Sequence, residues 1–363
     1  MTTYNRLPLA FARGEGVWLE DSEGNKYLDA ISGIAVCGLG HCHPEISKAI
    51  CEQSSTLMHT SNLYEIPLQT RLADRLAKLT GMDRVFFANS GAEANEAAIK
   101  IARLYGHKKG IDTPSILVCE GSFHGRTMAT LSATGNRKVR AGFEPLLRGF
   151  SRIPFNDLDA VRHAATNDQN VVAILVEPIQ GEGGIKIPDQ GYLAALREIC
   201  DDNGWLLMLD EIQTGLCRSG KWFAHQHAGI VPDVMTLAKA LGNGMPVGAC
   251  VVNKAASEVF GPGNHGSTFG GNPLASATAL TVLEILEREN VANQAAQSGA
   301  LLKQLLADAL ADKHGVKDVR GVGLLLAIEL NKPCGELVMQ AAEKGLLINV
   351  TADTVIRLLP PLV

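Results

Sequence analysis

The chain has 363 residues, too many for one simple core, and at about 150 residues per domain it divides into two compact units. Hydrophobic residues make up 46% and charged residues 20%, with a formal net charge of -5, which is ordinary globular usage without a basic surface for nucleic acid. No apolar run spans a bilayer, the first residues hold no apolar signal core, and eight scattered Cys set no disulfide framework, so a cytoplasmic protein is expected.

In chain order, GVWLEDSEGNKYLDA reads as a hairpin, two β-rich runs flanking turn residues Asp21 to Asn25. A helix is expected after Pro44 in HCHPEISKAICEQ, and another over RLADRLAKLTG, ended by Gly81. Short apolar strands then alternate with helices. The strands are RVFFAN, SILVCEG, VVAILVEPI, WLLMLDE, the first half of DVMTLAKA, and GACVVN; EANEAAIKIARLYG and GYLAALREICDDNG are helices. Strands apolar on both faces belong in a buried parallel sheet, and the alternation predicts an α/β fold with helices on both sides. After Phe269 come two helices, ASATALTVLEILEREN and AQSGALLKQLLADALADKHG, and then strands GLLLAIEL and LLINV. We expect residues 1–40, an arm and hairpin, to join a small α+β domain of residues 266–363, with a larger α/β domain over 41–265.

Ligands sit at the carboxyl ends of strands in such sheets. Ser90-Gly91-Ala92-Glu93 has the S-x-x-E pattern of a capping box, and Gly91 and Ala92 leave the first helical amides uncovered for a phosphate. An ordinary capped helix has the same pattern. Asp210 ends the apolar strand WLLMLD, where an ionised carboxylate requires a cationic partner or, alternatively, backbone amides. Lys239 follows another apolar strand inside TLAKALGNG; partly buried, it would be a usable amine for Schiff-base chemistry, and on the surface it would only open a helix.

Three other readings compete. Gly215 to Trp222 reads GLCRSGKW, close to the phosphate loop of a nucleotide triphosphatase, but Trp222 stands where a magnesium-binding hydroxyl is required and the acidic strand precedes the loop. Cys37, His41, Cys42 and His43 suggest zinc, but they are packed too closely and lack a second spaced pair, so no metal is expected. A non-catalytic binding scaffold leaves unexplained the Arg, Glu, Asp and Lys gathered at strand ends.

Together the blocks NSGAEANE, SFHGRT, VEPIQGEGG, LDEIQTG, TLAKALGNG, GSTFGGNP and RLLPPLV resemble, in order and over nearly the whole chain, the class III aminotransferases. The resemblance implies a fold-type I α/β architecture: a large domain around a mostly parallel seven-stranded sheet flanked by helices, plus a smaller α+β domain. It implies pyridoxal 5'-phosphate as cofactor. By that resemblance Lys239 joins the cofactor and later moves a proton between carbon atoms, and Asp210 keeps the pyridine nitrogen protonated. Gln213 matches a residue near the phenolic oxygen, Gly91 and Ala92 the phosphate amides, and Phe123 an aromatic stacked on the ring. Arg126 matches an arginine for a substrate carboxylate. Ser267 and Thr268 match a pair reaching the neighbouring subunit's site, Thr268 to the cofactor phosphate, which implies a homodimer with shared sites. Glu182 and Arg357 match a pair that opens to admit glutamate.

Within the class, SGIAVCGLGHCHP and PIQGEGG look most like members acting on N2-acetyl-L-ornithine with 2-oxoglutarate, in arginine biosynthesis. Ile34 stands where ornithine-specific members carry tyrosine. Succinylornithine, succinyl-diaminopimelate, 4-aminobutyrate and ornithine are the alternative donors. Family chains usually continue past RLLPPLV, whereas this sequence stops at Val363.

Overall fold

Five consecutive parallel strands build the centre of the computed structural model, which describes residues 1–363. In sheet order the strands are Arg84–Ala88, Gly248–Val252, Val234–Leu237, Leu206–Asp210, Val171–Val176, Ser115–Cys119 and Phe150–Ile153. Gly248–Val252 alone runs antiparallel to its two neighbours. Four inner strands, Ser115–Cys119, Val171–Val176, Leu206–Asp210 and Val234–Leu237, are buried along their whole length.

Side-chain alternation explains why both faces had to be apolar. Ile116 and Val118 face the helix Gly91–Lys108 and its Ala97, Ala98 and Ile101, while Leu117 and Cys119 share the opposite cluster with Val161, Leu193 and Leu196. The edge strand Phe150–Ile153 was not expected from the sequence. It is short, partly polar and half-buried, as an edge permits, so it lacks the doubly apolar signature that marks its neighbours.

The hairpin forms as expected: Trp18–Asp21 and Lys26–Asp29 pair antiparallel, and the Asp21 carboxylate accepts the Glu23 and Asn25 amides at 2.9 Å each. Phe11–Glu15 adds to one side, and Leu346–Leu347 joins the other side in parallel. LLINV, expected as one strand, is divided. Leu346–Leu347 serves this N-terminal sheet, and Asn349–Thr351 serves a second, antiparallel sheet with Val316–Val322, Leu325–Leu330 and Val355–Leu358. Leu347 and Ile348 point into different apolar clusters, and one run cannot pair in both sheets without breaking between them.

Helix Pro67–Thr80 stops at Gly81, whose φ of 70 is the left-handed conformation glycine tolerates. It packs with Pro44–Thr56 against Pro273–Arg288, and the buried face of that last helix shares a cluster with Phe87, Met235, Leu237 and Val251 of the large sheet. No helix is long and apolar enough to cross a membrane. All eight cysteines are free thiols.

Candidate active site

A cavity of about 400 Å³ opens at the carboxyl ends of the parallel strands, large enough for a small heterocyclic ligand. Gly91, Ala92, Phe123, Arg126, Glu182, Asp210, Gln213 and Lys239 all line it. They lie at or after the ends of five strands, so residues far apart in sequence converge because parallel strands present the same end to one side.

Lys239 reaches the cavity from a left-handed backbone position, φ 48. Such a position is disfavoured for a residue with a side chain, by roughly 1–2 kcal/mol, and it turns the amine inward instead of along a helix. Burial, reinforced by the Arg357 guanidinium, pushes the Lys239 amine down to about 8. The neutral amine is the nucleophile. Labelling by a small amine-reactive reagent is therefore expected to show a midpoint near 8 for Lys239, against about 10.4 for surface lysines. Peptide mass spectrometry across pH measures this, and a midpoint with the surface lysines would contradict the buried placement.

Asp210 is buried in a dense polar network. Its Oδ2 accepts from Asn95 Nδ2 at 2.8 Å and lies 2.8 Å from His124 Nδ1. Its Oδ1 accepts the Ile212 amide at 3.1 Å, one of the backbone bonds a purely structural carboxylate would need. Asn95 is held in turn by Thr236, whose hydroxyl donates to Asn95 Oδ1 at 2.8 Å. His124 Nε2 is buried without a partner. Asn95 and His124 thus aim Asp210 and escaped the sequence reading: one is a lone amide among alanines on a buried helical face, the other lies within SFHGRT.

Glu177 also escaped, although it ends an apolar strand just as Asp210 does. Its carboxylate accepts the amides of Phe123 and Gly181, each at 2.9 Å, and so ties together two loops of the cavity wall. Burial pushes it up to about 7, against the lowering influence of His124.

Ser90 caps the helix Gly91–Lys108 by accepting the Glu93 amide at 3.2 Å, but Glu93 reaches back to the Asn89 amide at 2.5 Å instead of completing the box on Ser90. The amides of Gly91 and Ala92 remain without protein partners at the positive end of an 18-residue helix, facing the cavity. A Cβ on Gly91 would lie 2.7 Å from Ile212 Cδ1, so a side chain there would require Ile212 to move. The Phe123 ring carries the Arg126 guanidinium at 5.7 Å from its centroid, leaving Arg126 exposed at the mouth.

Arg357 lies behind the cavity, 1% exposed. It donates to Glu182 Oε1 at 2.5 Å, and its Nη1 lies 3.4 Å from Gln213 Oε1. Ser267 and Thr268 are not brought into this cavity. They line a separate one with Asn89, Glu93 and Phe269. Ile34 likewise stays off the wall, where Val36 stands. Residues Ser32 to Ala35 all have positive φ, a left-handed turn held by Asp29, which accepts the Ile31 and Ser32 amides at 2.9 Å each.

The loop GLCRSGKW does not cradle anything. Arg218 at its centre is buried and donates to the Leu324 and Pro360 carbonyls, while Lys221 reaches the Gln226 carbonyl on the surface. His41, one of the supposed zinc ligands, is 2.7 Å from Asp29 Oδ2.

A family model described as Aminotransferase class-III matches residues 2–363. The chain is similar to acetylornithine aminotransferase of Nitrosomonas europaea, with 60% identity over 362 residues that cover 100% of this chain and 92% of that one. It is 54% identical to acetylornithine aminotransferase 1 of Bordetella pertussis, covering 99% of this chain and 92% of that one. Among solved structures, it resembles ornithine aminotransferase from Toxoplasma gondii with a TM-score of 0.97 and 37% identity, covering 100% and 87% of the two chains. It resembles acetylornithine aminotransferase from Elizabethkingia anophelis with a TM-score of 0.89 and 37% identity, covering 100% and 91%.

Proposed function

We propose, for a chain that belongs to the class III aminotransferases, that it transfers the terminal amino group of N2-acetyl-L-ornithine to 2-oxoglutarate. The products are N-acetyl-L-glutamate 5-semialdehyde and L-glutamate, a step of arginine biosynthesis, in the cytoplasm. The carrying observation is the single cavity that gathers a deep lysine of lowered basicity, a buried carboxylate and an unpartnered helix N-terminus. The relatives named for acetylornithine support the choice of donor.

These residues fit pyridoxal 5'-phosphate. Gly91 and Ala92 would hold its phosphate, Phe123 would stack on its ring, Asp210 would pair with the ring nitrogen, Gln213 would lie near the phenolic oxygen, and Lys239 would join it covalently. Bound there, the cofactor supplies a carbonyl that exchanges with amines and an electron-accepting ring. Lys239 Nζ then carries the proton from the substrate carbon that bears the nitrogen. Arg126 at the mouth binds the carboxylate remote from the reacting amine.

The homodimer belongs to the same proposal. Ser267 and Thr268 of each chain would together reach across the interface and complete the neighbouring subunit's site, Thr268 at the cofactor phosphate. Supporting this, Phe269 on the wall of that second cavity is 58% exposed, and Leu63 and Tyr64, beside the Asn62 that donates to the Ser267 and Gly270 carbonyls, are 85% and 69% exposed. We read the seven-stranded sheet and the two four-stranded sheets as two domains, with the site between them.

One site must take two donors. Glutamate brings an α-carboxylate beside its amine, which acetylornithine lacks there, and Arg357 is the cation for it. Glu182 neutralises Arg357 until glutamate arrives, and its side chain, 34% exposed, can swing to water. Glu182→Ala is expected to strengthen the glutamate half-reaction and erode the preference for acetylornithine. Arg357→Ala should weaken the glutamate half-reaction by roughly 10–100-fold, and the acetylornithine half much less. Single-turnover rates for each half, followed by the cofactor spectrum, test both. Equal losses in both halves would reduce the pair to a structural salt bridge. The same screen, run with acetylornithine, ornithine, succinylornithine, succinyl-diaminopimelate and 4-aminobutyrate, tests the donor assignment; a clear preference for any of the last four overturns it.

A further inference from the structure

We propose that Asn349 is a specificity-determining residue, whose neutral amide oxygen fixes the orientation of Arg357 while leaving its charge for Glu182 or an incoming carboxylate to balance. The inference rests on the reading that glutamate and an acylated diamine share this site.

Asn349 lies directly opposite Arg357 in the pairing of Asn349–Thr351 with Val355–Leu358. Its Oδ1 accepts from Arg357 Nε at 3.1 Å and from Nη2 at 2.7 Å. One oxygen therefore holds the whole side edge of the guanidinium, and the edge formed by Nη1 and Nη2 is left toward Glu182. With the Nε–Nη2 edge taken by Asn349, that second edge is the one left to grip an incoming carboxylate with two parallel bonds.

The chemistry of the holder matters as much as its place. A carboxylate at position 349 would offer the same acceptor and also a permanent negative charge at contact distance. Glu182 and the substrate would then compete for a cation already neutralised. An amide accepts the same two bonds and leaves the charge unmet. The only carboxylate on Arg357 is then Glu182, the partner that is partly in water and able to leave. The mount itself is anchored, because Thr351 on the same strand donates its hydroxyl to the Glu182 carbonyl. The Arg357 charge is also felt at Lys239, whose amine it pushes down.

Asn349→Asp, nearly identical in shape, separates orientation from charge; Asn349→Ala removes the acceptor alone. Apparent dissociation constants for glutamate and acetylornithine come from single turnovers of the holoenzyme. The affinity for glutarate, an unreactive dicarboxylate, comes from calorimetry. Asn349→Asp is expected to weaken glutamate and glutarate about tenfold or more, and acetylornithine less than about threefold. In the cofactor-free protein, where the Lys239 amine is free, it should also raise the Lys239 labelling midpoint above that of the unaltered chain. Asn349→Ala should weaken glutamate without moving that midpoint. In a Glu182→Ala background, Asn349→Asp should restore part of the lost preference for acetylornithine.

Equal weakening of both donors by Asn349→Asp, or unchanged glutarate affinity, overturns the assignment to Asn349. An unaltered holoenzyme inert to both donors would instead overturn the proposed reaction, and the glutarate measurement would still decide the role of Asn349.

Discussion

Lys239→Ala is expected to give a folded protein that has lost both the absorbance band of the covalent lysine–cofactor linkage and its turnover. The position explains the size of the effect. Lys239 is the one amine lining the cavity, and burial with the nearby Arg357 charge holds it near 8, so far more of it is neutral than of a surface lysine at the same pH. The substitution removes the covalent attachment point and the proton carrier together. Placed acid–base groups alone contribute roughly 10²–10⁴-fold, so a loss of at least about 10⁴-fold in turnover is expected. Gly91, Ala92 and Phe123 remain in place, so the variant should still retain pyridoxal 5'-phosphate non-covalently. Absorbance of the purified protein and steady-state assay with acetylornithine check both halves of the expectation. A colourless unaltered protein that cannot be reconstituted with the cofactor would defeat the functional reading.

Asp210→Asn should slow the proton-abstraction step by roughly 10²-fold or more, while cofactor binding falls less. A charge preorganised against the electrons released at the substrate carbon contributes on the order of 3 kcal/mol. The surroundings sharpen the test. The substituted amide can still accept from Asn95 and His124 through its oxygen, but its NH2 then meets the Ile212 amide, donor against donor. The network keeps its two side-chain partners, loses the Ile212 bond and loses its charge. Single-turnover rates with acetylornithine read the step directly. Near-normal rates would make Asp210 a strand-end carboxylate satisfied by its neighbours and nothing more.

Glu177, like Asp210, is a carboxylate at the end of an apolar strand. Glu177 spends both oxygens on the amides of Phe123 and Gly181, a bond pattern no sequence spacing announces. His124 and Asn95 act on Asp210 across separations of 86 and 115 residues. The left-handed turn Ser32 to Ala35 places Val36, and not Ile34, on the cavity wall, a result of positive-φ geometry that no sequence spacing announces.

Two things about this protein were determined by the sequence alone. Side-chain alternation and burial require the doubly apolar runs to become inner strands of a parallel sheet, because nowhere else can both faces be covered. That arrangement in turn sends every loop after those strands to one end, so Lys239, Asp210, Gln213, Glu182 and Phe123 could be grouped before any coordinates. Only the tertiary structure decided how those residues are aimed. The burial that lowers the Lys239 amine, the Asn349 oxygen on Arg357, and the division of LLINV between two sheets all depend on contacts between distant segments. Local periodicity records which face of an element is apolar; it carries no information about which distant partner will meet that face.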